Sequence, residues 1–405
     1  MSYTAGSQGA QANCASVFMA TLDTILLAAG FTAVTWPGTT VRLASGVNVA
    51  SLSGLLVVDG VQTVDNDRVL CVNQTTTSQN GIWVAHSGAW TRATDADASG
   101  EITVGQSIRV TEGSTATNRV YYVSATGATP WIPGTSSSTW ANQGPMTINA
   151  YKSPAASNSF GSDWYLLVYR ATDTSTACYF GVAEILDTVT GKVRNYAPAA
   201  GYSGVPAATT FAVNDTVGLP PFSTRQIAIT ISAAGFQYWV SANPNRVVVG
   251  ARVASTNYKM YAGLYDDILS STISPFPLIV TDLLVSSSAG NGSGSATREP
   301  NTTTSNTGNF GVNVFYPLGL NSDSATGIYA GTLVPGRPIV YSSRIVASTS
   351  VGSSAIGARG ILKDVIRQGI TGSVMGDTLT VTDAASNVKT YTCFDPVQYW
   401  VDQGV

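Results

Sequence analysis

Between residues 54 and 97 the chain lays down strand and turn signals that favour a small β-structure. Arg68 to Asn73 is a strand-length run of branched apolar residues, and Ile82 to Ala85 is a second. Asn80-Gly81 stands directly before that second run, and Asn-Gly favours the positive φ angles of a tight hairpin. The stretch from Asn73 to Gly81 is longer than two residues, so a plain two-residue hairpin is not implied. Glu101 to Val110 and Arg119 to Val123 supply two more strands, punctuated by Gly105 and Gly113. Trp83, Trp90, Trp131 and Trp140 are candidates to fill a small core, because one aromatic side chain removes a large apolar area from water. Core packing is preferred for them over ligand binding.

The polar half of the chain is unusual. Charged residues are 11 % of 405, against about 25 % in an average domain. Ser, Thr, Asn and Gly take their place. A hydroxyl or amide that finds a partner costs less to bury than a charge, so this composition suits surfaces that meet other protein surfaces. The net charge is −3, and no lysine and arginine cluster offers a footprint for phosphates, which argues against nucleic-acid binding. No apolar run reaches the roughly 18 residues that a membrane span needs. The start of the chain lacks a basic segment followed by an apolar one, so no signal peptide is expected. Cys14, Cys71, Cys178 and Cys393 are far apart and form no Cys-x-x-Cys pair. Zinc and redox chemistry are therefore not indicated, and buried thiols are expected. At roughly 100–200 residues per domain, the length implies two or three domains.

Ala15 to Ala29 reads as one amphipathic helix: Phe18, Leu22, Ile25 and Ala29 share a face, Gly30 is the stop, and Asn13 or Ser16 caps the start. Phe31 to Thr35 follows as a strand and Pro37-Gly38 as a turn. Asp163–Arg170, Ala177–Leu186, Arg225–Ser232, Gln237–Ser241, Arg246–Val253 and Asn257–Tyr265 continue as strands, closed by Pro275 to Ile279. Ser286 to Asn309 is a polar, Gly-rich loop, and its Gly290-to-Ser295 run lacks the Lys of a phosphate-binding loop. Asn313–Pro317, Pro338–Val346, Thr378–Val381 and Val388–Cys393 are later strands. Gly360 to Gly369 reads as a short helix with Ile361, Val365 and Ile366 as its stripe.

Chemistry-bearing residues are few. The one histidine, His86, stands at a strand end beside Ser87-Gly88, where a surface role outweighs a Ser-His-Asp or Cys-His site. Asp65 with Asp67, Asp95 with Asp97, and Asp266 with Asp267 are the carboxylate pairs that glycoside cleavage would require. Each reads better as turn capping. Tyr258, Tyr261 and Tyr265 recur near the last pair, and alternate packing in a sheet is preferred for them over a sugar site. No catalytic, cofactor or metal residue is assigned, and no enzymatic activity is expected. Asn73-Gln-Thr75 and Asn301-Thr-Thr303 match glycosylation acceptors only by pattern.

The order Leu56-x-x-Asp59-Gly60, Asp67-Arg68-Val69-Leu70, Gln74-Thr75, Asn80-Gly81-Ile82-Trp83-Val84 and Trp90-x-Arg92-Ala93-x-Asp95 resembles a β-module found in tail-fibre and tail-tip proteins of tailed bacteriophages. Trp83 stands where Tyr is common. A second pattern resembles another group of phage virion proteins. It runs from Tyr3-Thr4-Ala5-Gly6 and Gly30-Phe31-Thr32 to Gln237-Tyr238-Trp239-Val240, Arg246 to Val253, Tyr258 to Tyr265 and Pro275 to Leu278.

Together the resemblances imply a mainly β chain. Residues 1–43 plus 149–405 would form a discontinuous, β-sandwich-like docking domain with one N-terminal helix, and 44–148 an inserted module. They imply a structural role at the tail tip, baseplate or fibre attachment of a virion assembled in the host cytoplasm. The partners would be other virion proteins and copies of itself in three- or six-fold symmetry. A head–neck collar or capsid decoration protein is the alternative. A receptor-binding or glycan-degrading tail protein, with a host surface glycan as partner, is the other. The Tyr3 arm and the Ser286–Asn309 loop are expected to be ordered by neighbours.

Overall fold

The computed structural model describes residues 2–145, 147–154, 163–170, 177–183, 185–189, 193–194, 227–230, 233–267, 278–281, 313–315, 339–342, 357–362, 364–367, 373–382, 386, 388–395 and 399–404. The Ser286–Asn309 loop lies outside them. The described chain is mainly β, with a single α-helix, Cys14–Ala28, and short sheets around it.

The helix forms where its apolar spacing predicts, one residue earlier than Ala15. Phe18, Leu22, Ile25 and Leu26 are buried along one face. Thr21 and Thr24 are tolerated within it, their hydroxyls donating to the carbonyls of Val17 (3.1 Å) and Ala20 (3.2 Å) one turn back rather than to non-helical backbone. Gly30, at φ +91°, turns the chain out of the helix, and the Phe31 amide closes back on the Leu26 carbonyl at 3.0 Å. Asn13 occupies the N-cap position, but its side chain makes no capping bond.

Two five-stranded antiparallel sheets share a core with this helix. One runs Ser2–Gln8, Phe236–Asn243, Arg246–Val253, Thr256–Gly263 and Leu278–Thr281. The other runs Ile227–Thr230, Ala177–Ala183, Tyr165–Arg170, Thr147–Lys152 and Thr32–Val34. Phe18 meets Phe236 edge to face at 5.3 Å, and Phe31 meets Trp164 at 5.5 Å. Val240, Val247, Val249, Met260, Leu166, Val168 and Phe180 fill the space between. Each such side chain contributes roughly 1.5–3 kcal/mol through its removal from water.

The Tyr3 arm departs from expectation. Ser2–Gln8 pairs in continuous antiparallel register with Phe236–Asn243, from Ser2 opposite Ala242 to Gln8 opposite Phe236. A ladder of backbone hydrogen bonds orders the arm within its own chain, which side-chain polarity does not reveal. Gly360 to Gly369 departs too. It contains two strands, Gly357–Leu362 and Val365–Arg367, separated by Asp364 at φ +58°. A brief apolar stripe fits either period, and here pairing of Val365–Arg367 with Tyr399–Asp402 decides.

The outer face of the first sheet carries a third layer: Val365–Arg367, Tyr399–Asp402, Val388–Asp395 and Thr378–Thr382. Gly250 makes the close approach possible. A Cβ there would stand 2.9 Å from Cδ1 of Phe394. Arg246, wholly buried, crosses between the layers. It donates to the Ser241 carbonyl (3.0 Å) and Oγ (2.9 Å), to the Asp402 carbonyl (3.1 Å) and to Asp364 Oδ2 (3.3 Å).

Residues 40 to 145 pair among themselves. Thr40–Val41 joins Ser107–Val110 in parallel, and Arg119–Thr126 and Ser138–Pro145 extend that sheet. Leu43–Ser45 joins Arg68–Cys71 in parallel, followed by Gly81–Val84 and Thr91–Arg92. Two apolar clusters lie here. One surrounds Leu70, Ile82, Trp131 and Trp140, the other Leu43, Val69, Cys71 and Trp90. Val120 instead packs with Trp36, Ile148 and Leu167 of the outer strands. All four cysteines are buried and none is in a disulfide. Burial pushes the Cys71 and Cys178 thiols up to about 12.

Candidate interaction surface

The residues of the 54–97 pattern hold the module together. Arg68 donates from Nε to the Thr40 carbonyl (3.0 Å) and from Nη2 to Asp95 Oδ2 (2.8 Å). Asp67 accepts from the Val64 amide (2.7 Å) and from Arg42, which also pairs with Glu112 at 3.0 Å. The Trp90 indole donates to the Gly54 carbonyl at 2.7 Å. Arg92 lies over the Trp83 ring, 4.1 Å from its centroid, and donates to the carbonyls of Asn80 (2.8 Å) and Ser78 (2.6 Å). Burial lowers its guanidinium to about 10, with the nearby Cys71 acting in the opposite direction. Trp90, Trp131 and Trp140 are core residues, while Trp83 is half-buried beneath Arg92.

Asn80-Gly81 does not make the tight hairpin. Asn80 is extended at φ −59°, ψ 147°, and its side chain accepts from the Gln74 amide (2.8 Å) and donates to the Ser138 carbonyl (3.0 Å). The tight hairpin is Val57–Val58 with Val61–Gln62. Its turn residues, Asp59 and Gly60, have φ of +47° and +78°. That conformation is the one Asp-Gly supplies, so the signal was present five residues into the run.

Asp59 also anchors the hairpin to the loop at 114–116. Its carboxylate accepts from the Thr115 hydroxyl (2.6 Å), the Thr115 amide (2.9 Å), the Ala116 amide (2.7 Å) and the Ser114 hydroxyl (3.2 Å). Burial alone would raise this carboxyl; the bonds from Thr115, Ala116 and Ser114 outweigh it and hold the group below its ordinary value.

The anchored hairpin has two unlike faces. Leu56, Val58 and Val61 turn inward against Trp90 and Cys71. The Thr63 amide donates to the Leu56 carbonyl at 2.8 Å, just beyond the paired residues, and the exposed Gln62 stands across from Val57. Leu55, Val57 and Val64 are 41 %, 66 % and 54 % exposed. Single exposed apolar residues are ordinary, whereas three on one hairpin and its flanks form a small ribbon of the kind found at contact surfaces.

The carboxylates and the histidine do structural work. His86 stands between Asp65 (Nδ1 to Oδ1, 3.2 Å) and Thr91 (Nε2 to Oγ1, 3.3 Å) at the surface. Asp95 pairs with Arg68, and Asp97 is exposed, its amide donating to Glu101 at 2.8 Å. Asp266 and Asp267 sit in the strand Tyr265–Asp267, which pairs with Gly357–Leu362. Tyr261 is buried and donates to the Leu264 carbonyl at 2.5 Å, and Tyr258 packs against the main core. Among the described side chains, the structure brings no nucleophile, base and acid together at His86 and the Asp65, Asp67, Asp95 and Asp97 carboxylates. Among the described residues no group of three or more His, Cys, Asp or Glu side chains is placed to hold a metal ion, and no helix is long and apolar enough to cross a membrane. No protein-family model matches the chain, and no curated protein matches it.

Proposed function

We propose that this chain is a structural component of a tailed-phage virion, at the tail tip, baseplate or fibre attachment. In this reading the β-sandwich-like part, built on the helix and the two five-stranded sheets, docks on the tail, and the module of residues 40 to 145 projects toward a neighbouring virion protein. The observation that carries the reading is the Leu55–Val57–Val64 ribbon. It is apolar, turned outward, and held by Asp59 on a hairpin whose other face is core. The resemblance of residues 54–97 to tail-fibre modules supplies the kind of neighbour. Ring symmetry of three or six copies would multiply a weak contact of this size. Low charge content favours burial of such a surface without stranded ions.

The test is a count and a variant. Quantitative mass spectrometry of purified particles should find the chain in a multiple of three or six copies. The triple variant L55S/V57S/V64S should fold, since those side chains face water, and should be depleted from particles at least tenfold. Absence of the chain from particles, or full incorporation of the variant, would overturn the proposal.

A further inference from the structure

Where the module meets the outer sheets there is a cleft of ≈ 460 Å³, floored by the helix Cys14–Ala28 and the strands Thr32–Val34 and Thr147–Lys152. That volume is within the range that holds small ligands. Its walls carry Asp23, Trp36, Arg109, Asn149, Tyr151 and Arg170. The acidic side of the cleft is already occupied. Tyr151 donates its hydroxyl to Asp23 Oδ1 at 3.1 Å and accepts from Asn149 Nδ2 at 3.1 Å.

The basic side is different. Arg109 projects from the module strand Ser107–Val110, and its Nη2 donates to the Trp36 carbonyl at 2.7 Å. Its Nε–H is buried and meets no acceptor among the described residues. The indole N–H of Trp36, itself 1 % exposed, likewise meets none. Arg42, Arg68 and Arg246 each face a carboxylate, whereas no described acid lies within ion-pair reach of Arg109. Burial alone lowers its guanidinium, with no carboxylate acting against it. A partly buried cation is costly to the extent that no anion or hydrogen-bond acceptor compensates it. Arg170, 8 % exposed, adds a second guanidinium to the same wall.

We infer that this cleft binds a small oxyanion, a carboxylate- or phosphate-bearing molecule, with Arg109 as its charge partner. The ligand supplies a negative charge for Arg109, which faces no described acid, and a guanidinium recognises either oxyanion through the same planar donors. The site stands apart from the exposed ribbon and does not rest on the virion reading.

Calorimetric titration of the full chain with inorganic phosphate and, separately, with succinate tests it. One probe should bind at one site per chain. The tighter of the two identifies a phosphate or a carboxylate source. Arg109→Met should weaken that probe at least tenfold, and Arg109→Lys, which keeps the charge, should weaken it less. Loss of the Trp36 contact could unfold the Met variant, so arginine-selective ¹⁵N labelling of the native chain gives a second readout. One Nε signal, absent in Arg109→Lys, should shift with the probe. No binding of either probe at millimolar concentration, equal binding by the Met variant, or an Arg109 signal unmoved at saturation would overturn the inference.

Discussion

Arg246→Met is the most informative single change in the chain. Methionine keeps much of the volume but removes a guanidinium that is wholly buried and bonded to Ser241, Asp402 and Asp364. Bonds to a charged group contribute about 1.5–3 kcal/mol each, so the four together could reach roughly 6–12 kcal/mol. The substitution also removes the cost of holding a cation out of water, several kcal/mol. It leaves Asp364 and the Asp402 carbonyl without this donor. The net loss is expected at about 3–5 kcal/mol, as for breaking other buried pairs. Urea unfolding followed by tryptophan fluorescence reads it, since Trp239 and Trp400 lie in the two layers that Arg246 joins. Asp364→Asn should cost less, because Arg246 keeps its bonds to Ser241 and Asp402 and Asp364 is 18 % exposed, and the double variant should cost less than the sum because the two groups are in contact. A loss below about 1 kcal/mol in Arg246→Met, or strict additivity with Asp364→Asn, would refute the view that this buried pair holds the layers together.

Other expectations follow from particular contacts. Gly250→Val should destabilise by about 1–3 kcal/mol, because its Cβ would press on Phe394; a neutral thermal melt would contradict the close packing. Asp59→Asn should cost about 1–2 kcal/mol at neutral pH. The folded carboxyl is held low, so its contribution is present above the unfolded value of about 4 and fades as pH falls through the folded one; the acid limb of a stability–pH curve should be shallower in the variant. The Ser2–Gln8 arm should resist limited proteolysis in the isolated chain because of its pairing with Phe236–Asn243, and rapid cleavage there would contradict that ladder. All four cysteines should be slow to react with a thiol reagent at pH 8 until denaturant is added.

The strands were legible where branched residues run together between turn signals, as in Arg246–Val253, whose bounds coincide. The helix was legible because its apolar face repeats over four turns. What escaped is non-local. Nothing in Ser-Tyr-Thr-Ala-Gly-Ser-Gln says that a partner strand waits at residue 236. The Ile361, Val365 and Ile366 stripe fits both periods, and only pairing with Tyr399–Asp402 separates them. Asn80-Gly81 and Asp59-Gly60 are equivalent as dipeptides, yet only the second lies between two residues close enough to ladder. Among the candidates for chemistry, Asp67 caps a turn at the Val64 amide as expected, whereas Asp65 bonds to the Asn66 and His86 side chains and Asp95 pairs with Arg68. Arg109 carried no signal, because a lone arginine in a strand does not disclose what faces it.

The pairing of Ser2–Gln8 with Phe236–Asn243 sets a timetable on the ribosome. The first strand leaves the exit tunnel more than two hundred residues before its partner exists. At roughly 5–20 residues per second, that interval is about 10–45 s. Throughout it Phe18, Leu22 and Leu26 of the helix lack the sheet that will cover them. Residues 40 to 145 draw their strand partners from their own stretch, so they can close while synthesis continues. A finished module then emerges early and tethers the uncovered leading segment close to the ribosome until the distal strands arrive.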